Sequence, residues 1–141
     1  LETDYVNKQR LLLVKRTGKL MPLLRLRDNV KLKENEYRVL VYDKVLLSGV
    51  IDEKEENPYK RIIDDVTDVC DKHYGAILNK NIVKLMIDNL TELYPGIVDD
   101  IVPQKVSFLQ IKEELKKRVD EGQSIRNLIG ILEEIEMTIN P

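Results

Sequence analysis

The feature that most constrains this chain is a change of hydrophobic period at "DEKEENP", residues 52 to 58. Before it, apolar residues alternate with polar ones. Leu24 and Leu26 alternate with Arg25 and Arg27, and Tyr37, Val39 and Val41 stand opposite Arg38, Leu40 and Tyr42. Period two is the pattern of a half-buried strand. After it, apolar residues recur every three or four positions, the period of an amphipathic helix. Strands followed by a run of helices argue against a doubly wound parallel sheet, in which the two alternate. The fold class is therefore α+β: a small sheet with a flanking helix, then a helical subdomain.

The polar connection also suggests how the chain divides. Residues 1–57 read as a small α+β subdomain, 58–80 as a connecting helix and 81–141 as a helical subdomain. In the first part, residues 4 to 17 predict a helix with Val6, Leu12 and Leu13 inward, joined by Tyr5 and Leu11, and closed by Gly18. A strand over 20 to 28, entered through Pro22, then "EYRVLVYD", a tight turn at Asp43–Lys44, and "VLLSGVI" predict a three-stranded meander.

In the second part, Pro58 suits the first turn of a helix over 58 to 78, with Ile62, Val66, Val69, Ile77 and either Cys70 or His73 on its stripe. Asn81 reads as the cap of the next helix, which carries Val83, Met86, Ile87, Leu90 and Tyr94 and stops at Pro95-Gly96. "IVDDIVP" reads as a short apolar link. A helix with Phe108, Ile111, Leu115 and Val119 ends at Gly122. Ser124 would cap the last helix, which lines up Ile125, Leu128, Ile129, Leu132 and Ile135.

Composition narrows function mainly by subtraction. Lys and Arg number 23 against 25 Asp and Glu, for a net charge of −2. Nucleic-acid binders carry a basic excess or stripe. The basic run Lys112, Lys116, Lys117 and Arg118 is flanked by Glu113, Glu114, Asp120 and Glu121, as on a solvated helix face. No stretch approaches the roughly 20 apolar residues of a membrane helix.

With a single cysteine, Cys70, no internal disulfide forms, and with a single histidine, His73, a four-ligand zinc site is out of reach. Cys70 and His73 lie three apart, but such helical neighbours rarely aim at one reacting atom. The pairs Asp64–Asp65 and Asp99–Asp100 point about 100° apart on a helix and do not converge on a magnesium ion. No glycine-rich phosphate loop is present. The residues therefore suggest no enzyme and no cofactor. What remains is interaction with a partner or with a second copy.

Three stretches, in order, carry a resemblance. "RLRDNVKLKENEYRVLVYDKVLLSG" contains an Arg25, Arg27-Asp28-Asn29, Leu32, Asn35-Glu36-Tyr37-Arg38 and Gly49 phrase. "IDDVTDVCDKHYGAILNKNIVKLMIDNL" follows, with His73. "LTELYPGIVDDIVPQKVSFLQIKEELKKRVDEGQSIRNLIGILEEIEMTINP" closes the chain, with Pro95, Val102-Pro103 and Ser124-Ile125-Arg126-Asn127-Leu128. Together they resemble the cytoplasmic region of the FHIPEP family, the export-gate proteins of flagellar and virulence type III secretion.

The resemblance implies a non-enzymatic part of an export apparatus, acting in docking or in assembly of a homo-oligomeric ring. The partners it implies are export-apparatus proteins or chaperone–substrate complexes. It also implies a place in the cytoplasm at the inner face of the bacterial membrane, with any membrane contact made by a segment outside this chain. The family's cytoplasmic region has four subdomains. Residues 50 to 60 are too few for the second, and the fourth would follow Pro141, so a first-plus-third core is expected. The alternative is a family remnant acting as a soluble adaptor outside secretion. On either reading Arg27-Asp28-Asn29 fits a turn at a strand end, since Asp and Asn bond nearby backbone N–H groups. Arg25, Arg27, Asp28, Asn29 and Arg126 are the candidate partner contacts. Arg126 is included because a cation in the first turn of the last helix opposes the helix dipole and wants an acidic neighbour.

Overall fold

A computed structural model describes residues 2–22 and 32–139. Its order is α1 (Glu2–Thr17), β1 (Glu36–Val41), β2 (Lys44–Val50), α2 (Pro58–Lys72), α3 (Tyr74–Ile77), α4 (Lys80–Leu93), α5 (Pro95–Ile101), α6 (Phe108–Asp120) and α7 (Leu128–Ile139). The chain is α+β, as the change of period implies.

β1 and β2 form an antiparallel hairpin, with Tyr37 opposite Gly49 and Val41 opposite Lys44. Tyr37, Val39 and Val41 face inward, and Arg38 and Leu40 face solvent. The turn is centred on Tyr42 and Asp43, at φ 51° and 65°, one residue earlier than the expected Asp43–Lys44. Two consecutive positive φ values match the twist of a two-residue hairpin. The first strand of the expected meander falls mostly on 23–28, outside the described residues, and Leu20–Pro22 belong to no regular element.

The core is built by the helices. Ile63, Val66, Val69 and Cys70 of α2, Ile82, Val83, Met86 and Ile87 of α4, Ile111 and Leu115 of α6, and Leu128, Ile131, Leu132 and Ile135 of α7 are buried. Each such aliphatic side chain contributes about 1.5–3 kcal/mol on leaving water. Leu13 and Met21 enter the same apolar cluster from the N-terminal part. Leu11 and Leu12, expected inward, are about half exposed, because α1 rests on α2 along the Leu13 side.

Several boundaries depart from the sequence reading. The helix expected over 58 to 78 breaks at His73, and the short α3 buries Tyr74 and Ile77. Asn79, not Asn81, caps α4 by accepting from the Ile82 N–H at 2.7 Å. The expected link after Pro95 is the helix α5, with proline at its first position. Ser107 and Gln110 cap α6 reciprocally. Ser124 does not cap α7. Its hydroxyl accepts from the Arg126 N–H at 3.1 Å, while Asn127 accepts from the Gly130 N–H at 3.2 Å at the helix start.

Candidate interaction surface

α2 is the element that holds the N-terminal part to the helices. A helix this acidic on its outer face needs partners for Asp64, Asp65 and Asp71, and the chain supplies them from α1, the hairpin and the segment after α1. The Tyr5 hydroxyl donates to Asp64, and that bond, more than burial, raises the Tyr5 pKa. The Tyr37 hydroxyl donates to Asp65, which also receives Arg61 at 3.2 Å. Burial, with that bond, pushes the Tyr37 phenol up to about 12. Asp71 receives Lys19 at 2.8 Å and Arg16 at 3.2 Å. The Lys19 bond is the main reason its carboxyl is held below the usual range.

Residues 18–22 have no ladder of their own, so their backbone carbonyls must find other donors. Arg10 donates to the Met21 carbonyl at 2.7 Å, and the buried Tyr74 hydroxyl donates to the Leu20 carbonyl at 2.6 Å. Gly18 closes α1 at φ +80°, its N–H bonded to the Val14 carbonyl. There its Cα lies so close to the turn before α7 that an added Cβ would sit 2.5 Å from the Ile125 carbonyl oxygen. The start of the chain thereby meets the 123–127 loop.

That loop carries Arg126. It lies two residues before α7, not in its first turn, so the helix-dipole argument for it does not hold. The side chain is exposed, and none of the ion pairs among the described residues includes it. The neighbouring basic run is different. Arg118 bridges Glu114 at 3.0 Å and Glu134 at 2.6 Å, and Lys116 meets Asp120 at 2.8 Å. Arg25, Arg27, Asp28 and Asn29 lie outside the described residues.

Cys70 sits in the core, where burial pushes its thiol up to about 11. His73 is exposed at the end of α2, so one side chain lies in the core and the other meets solvent. Asp64, Asp65 and Asp100 are engaged by Tyr5, Tyr37 and Lys105 respectively. Among the described residues no helix is long and apolar enough to cross a membrane.

Residues 54–140, well over half the chain, match the FHIPEP family. The chain belongs to that family. The match begins in the loop after β2 and takes in every helix from α2 to α7. This FHIPEP chain is also 26% identical over 161 residues to the flagellar biosynthesis protein FlhA of Bacillus subtilis (strain 168), covering 82% of this chain and 24% of that relative. The chain thus spans about a quarter of the relative's length. A likeness covering 82% of the chain reaches into the stretch before residue 54. At 161 residues it is also longer than the chain's own 141, so FlhA carries residues with no counterpart here.

Proposed function

We propose that this chain is a non-enzymatic part of a bacterial flagellar or type III protein-export apparatus, acting in protein–protein docking or ring assembly on the cytoplasmic side of the membrane. The observation that carries the reading is the family match over 54–140, joined to the likeness to a flagellar biosynthesis protein. The buried Cys70 with its raised thiol pKa and the outward His73 favour a binding role over a catalytic one. On this reading the chain is a first-plus-third core, divided as 1–57, 58–80 and 81–141.

Arg25, Arg27, Asp28, Asn29 and Arg126 remain the proposed contacts with export-apparatus proteins or chaperone–substrate complexes. The test is affinity capture from a lysate of a flagellated bacterium, with an Arg25/Arg27/Arg126→Ala variant as control. Export-apparatus proteins, export chaperones or exported subunits should be enriched by the native chain and lost with the variant. Recovery of unrelated proteins alone would overturn the export reading and leave an adaptor outside secretion.

A further inference from the structure

α1 lies along α2 and runs in the same direction, since Tyr5 meets the first half of α2 at Asp64 and Arg16 meets its end at Asp71. On α2, Lys60, Asp64, Thr67 and Asp71 recur at the spacing of one helix face, and α1 lies over that face. The Tyr5 ring sits under the Lys60 ammonium, 5.5 Å from nitrogen to ring centroid, while its hydroxyl donates to Asp64. Ile63 and Cys70, each one position before an aspartate of that face, are buried beside it. Burial raises the Cys70 thiol pKa and the Arg10 charge of α1 opposes the rise, so α1 passes close to the sulfur.

The hold on α1 is uneven along the chain. Among the described side chains of α1, Leu13 alone is buried, while Leu11 and Leu12 are half exposed. Arg10 adds a part-buried bond to the Met21 carbonyl at 2.7 Å. The other ties are polar and meet water: the Tyr5–Asp64 bond is exposed, and Arg16 is 63% exposed where it reaches Asp71. Exposed pairs contribute little, and a helix of 16 residues is marginal by itself in water. The segment after α1 is held firmly. Met21 is wholly buried, Tyr74 donates to the Leu20 carbonyl, and Lys19 donates to the Asp71 carboxylate at 2.8 Å and to its backbone carbonyl at 2.5 Å. A helix with one buried anchor, joined to a segment held in this way, opens before the fold as a whole does. We infer that α1 is a strap: it lifts from α2 as one unit while α2 to α7 stay folded, pivots on the anchored residues 19–21, and uncovers the strip of Lys60, Asp64 and Thr67 with Ile63 and Cys70 beside it.

The experiment is labelling of Cys70 in the native full chain with excess iodoacetamide, read by mass spectrometry, beside native-state hydrogen exchange of the same chain. Two variants accompany it, and cooperative urea transitions establish that both fold. Tyr5→Phe with Arg16→Ala removes two exposed ties of α1, and Ser107→Ala removes the cap of α6. The double variant should speed labelling at least about threefold. Ser107→Ala should lower the urea midpoint yet leave the labelling rate within about twofold, because α6 is folded whether the strap is closed or open. The α1 amides should exchange at least about tenfold faster than the core amides of α4 and α6. Were Cys70 reached only through global unfolding, Ser107→Ala would raise labelling about fivefold, in step with its loss of stability. That result, α1 amides exchanging together with those of α6, or labelling indifferent to the double variant overturns the inference. The opening needs no export component, so its failure leaves the export reading to its own capture test, and a failed capture leaves the strap standing.

Discussion

The sharpest prediction concerns Gly18 and is measured against Gly122. Both have positive φ, +80° and +76°, where an L side chain adds about 1–2 kcal/mol of strain. They differ in surroundings. A Cβ at Gly122 meets nothing within 4 Å, whereas one at Gly18 falls 2.5 to 2.7 Å from the Ile125 carbonyl and the Arg126 Cα. Those neighbours are backbone and cannot rotate away, so Gly18→Ala must also push α1 off the turn. Overpacking of this kind costs about 1–3 kcal/mol. Gly122→Ala should therefore destabilise by about 1–2 kcal/mol and Gly18→Ala by about 2–5 kcal/mol. Urea unfolding followed by circular dichroism gives both values from midpoints at constant slope. Equal losses, within about 0.5 kcal/mol, would refute the close approach, since surface noise is of that size.

Other expectations follow from the same contacts. Ser107→Ala removes a reciprocal cap and should lose about 1 kcal/mol, while Ser124→Ala, which caps no helix, should stay within about 0.5 kcal/mol of the native chain by urea midpoint. The Asp71 carboxyl has a folded pKa below its ordinary 3.8, so its contribution is present above that pH and is lost as pH falls through the folded value. Asp71→Asn should flatten the acid limb of the stability profile, read as urea midpoints below about pH 5, by no more than about 1 kcal/mol for a partly exposed pair. The Tyr37 phenol runs the other way. Burial, with the bond to Asp65, raises its folded pKa to about 12 from 10, so the contribution of the neutral phenol is present below pH 10 and is lost as pH rises toward 12. Ultraviolet titration of the native chain should show that late phenol, and Tyr37→Phe should remove it.

Much of the fold was legible because apolar period is a direct record of burial. The change at residues 52–58, the hairpin faces, Pro58 at the start of α2 and the glycine stops at 18 and 122 all follow from one residue's own chemistry. The missed boundaries share a cause, namely that neighbouring residues offered rival caps and packing chose between them. "LNKNIV" contains two asparagines, and Asn79 is the one that lets both Ile82 and Val83 reach the core. Ser124 yields to Asn127 because Ile125, 1% exposed, is buried by the loop rather than by a helix. Pro95 reads as a stop, yet proline also suits a helix start, and α5 uses it so. The break at His73 depends on Tyr74 reaching the Leu20 carbonyl, a contact no local pattern encodes. At the candidate surface, Arg126 was chosen as a cation in a first helical turn, and that ground falls because α7 begins only at Leu128, after a loop that buries Ile125.

The meeting of Gly18 with Ile125 also sets an order of events during synthesis. α1 leaves the ribosome before the helices it packs on, with Leu13 and Met21 seeking a core that includes Ile111, Leu115 and Leu132. Those residues are made well after α1, and contacts so far apart in sequence form late. Until then the first helix has only α2 to lean on, and its leucines stay open to the quality-control machinery of the cell. A ribosome stalled before residue 125 should therefore hold a nascent chain whose N-terminal part is still sensitive to protease.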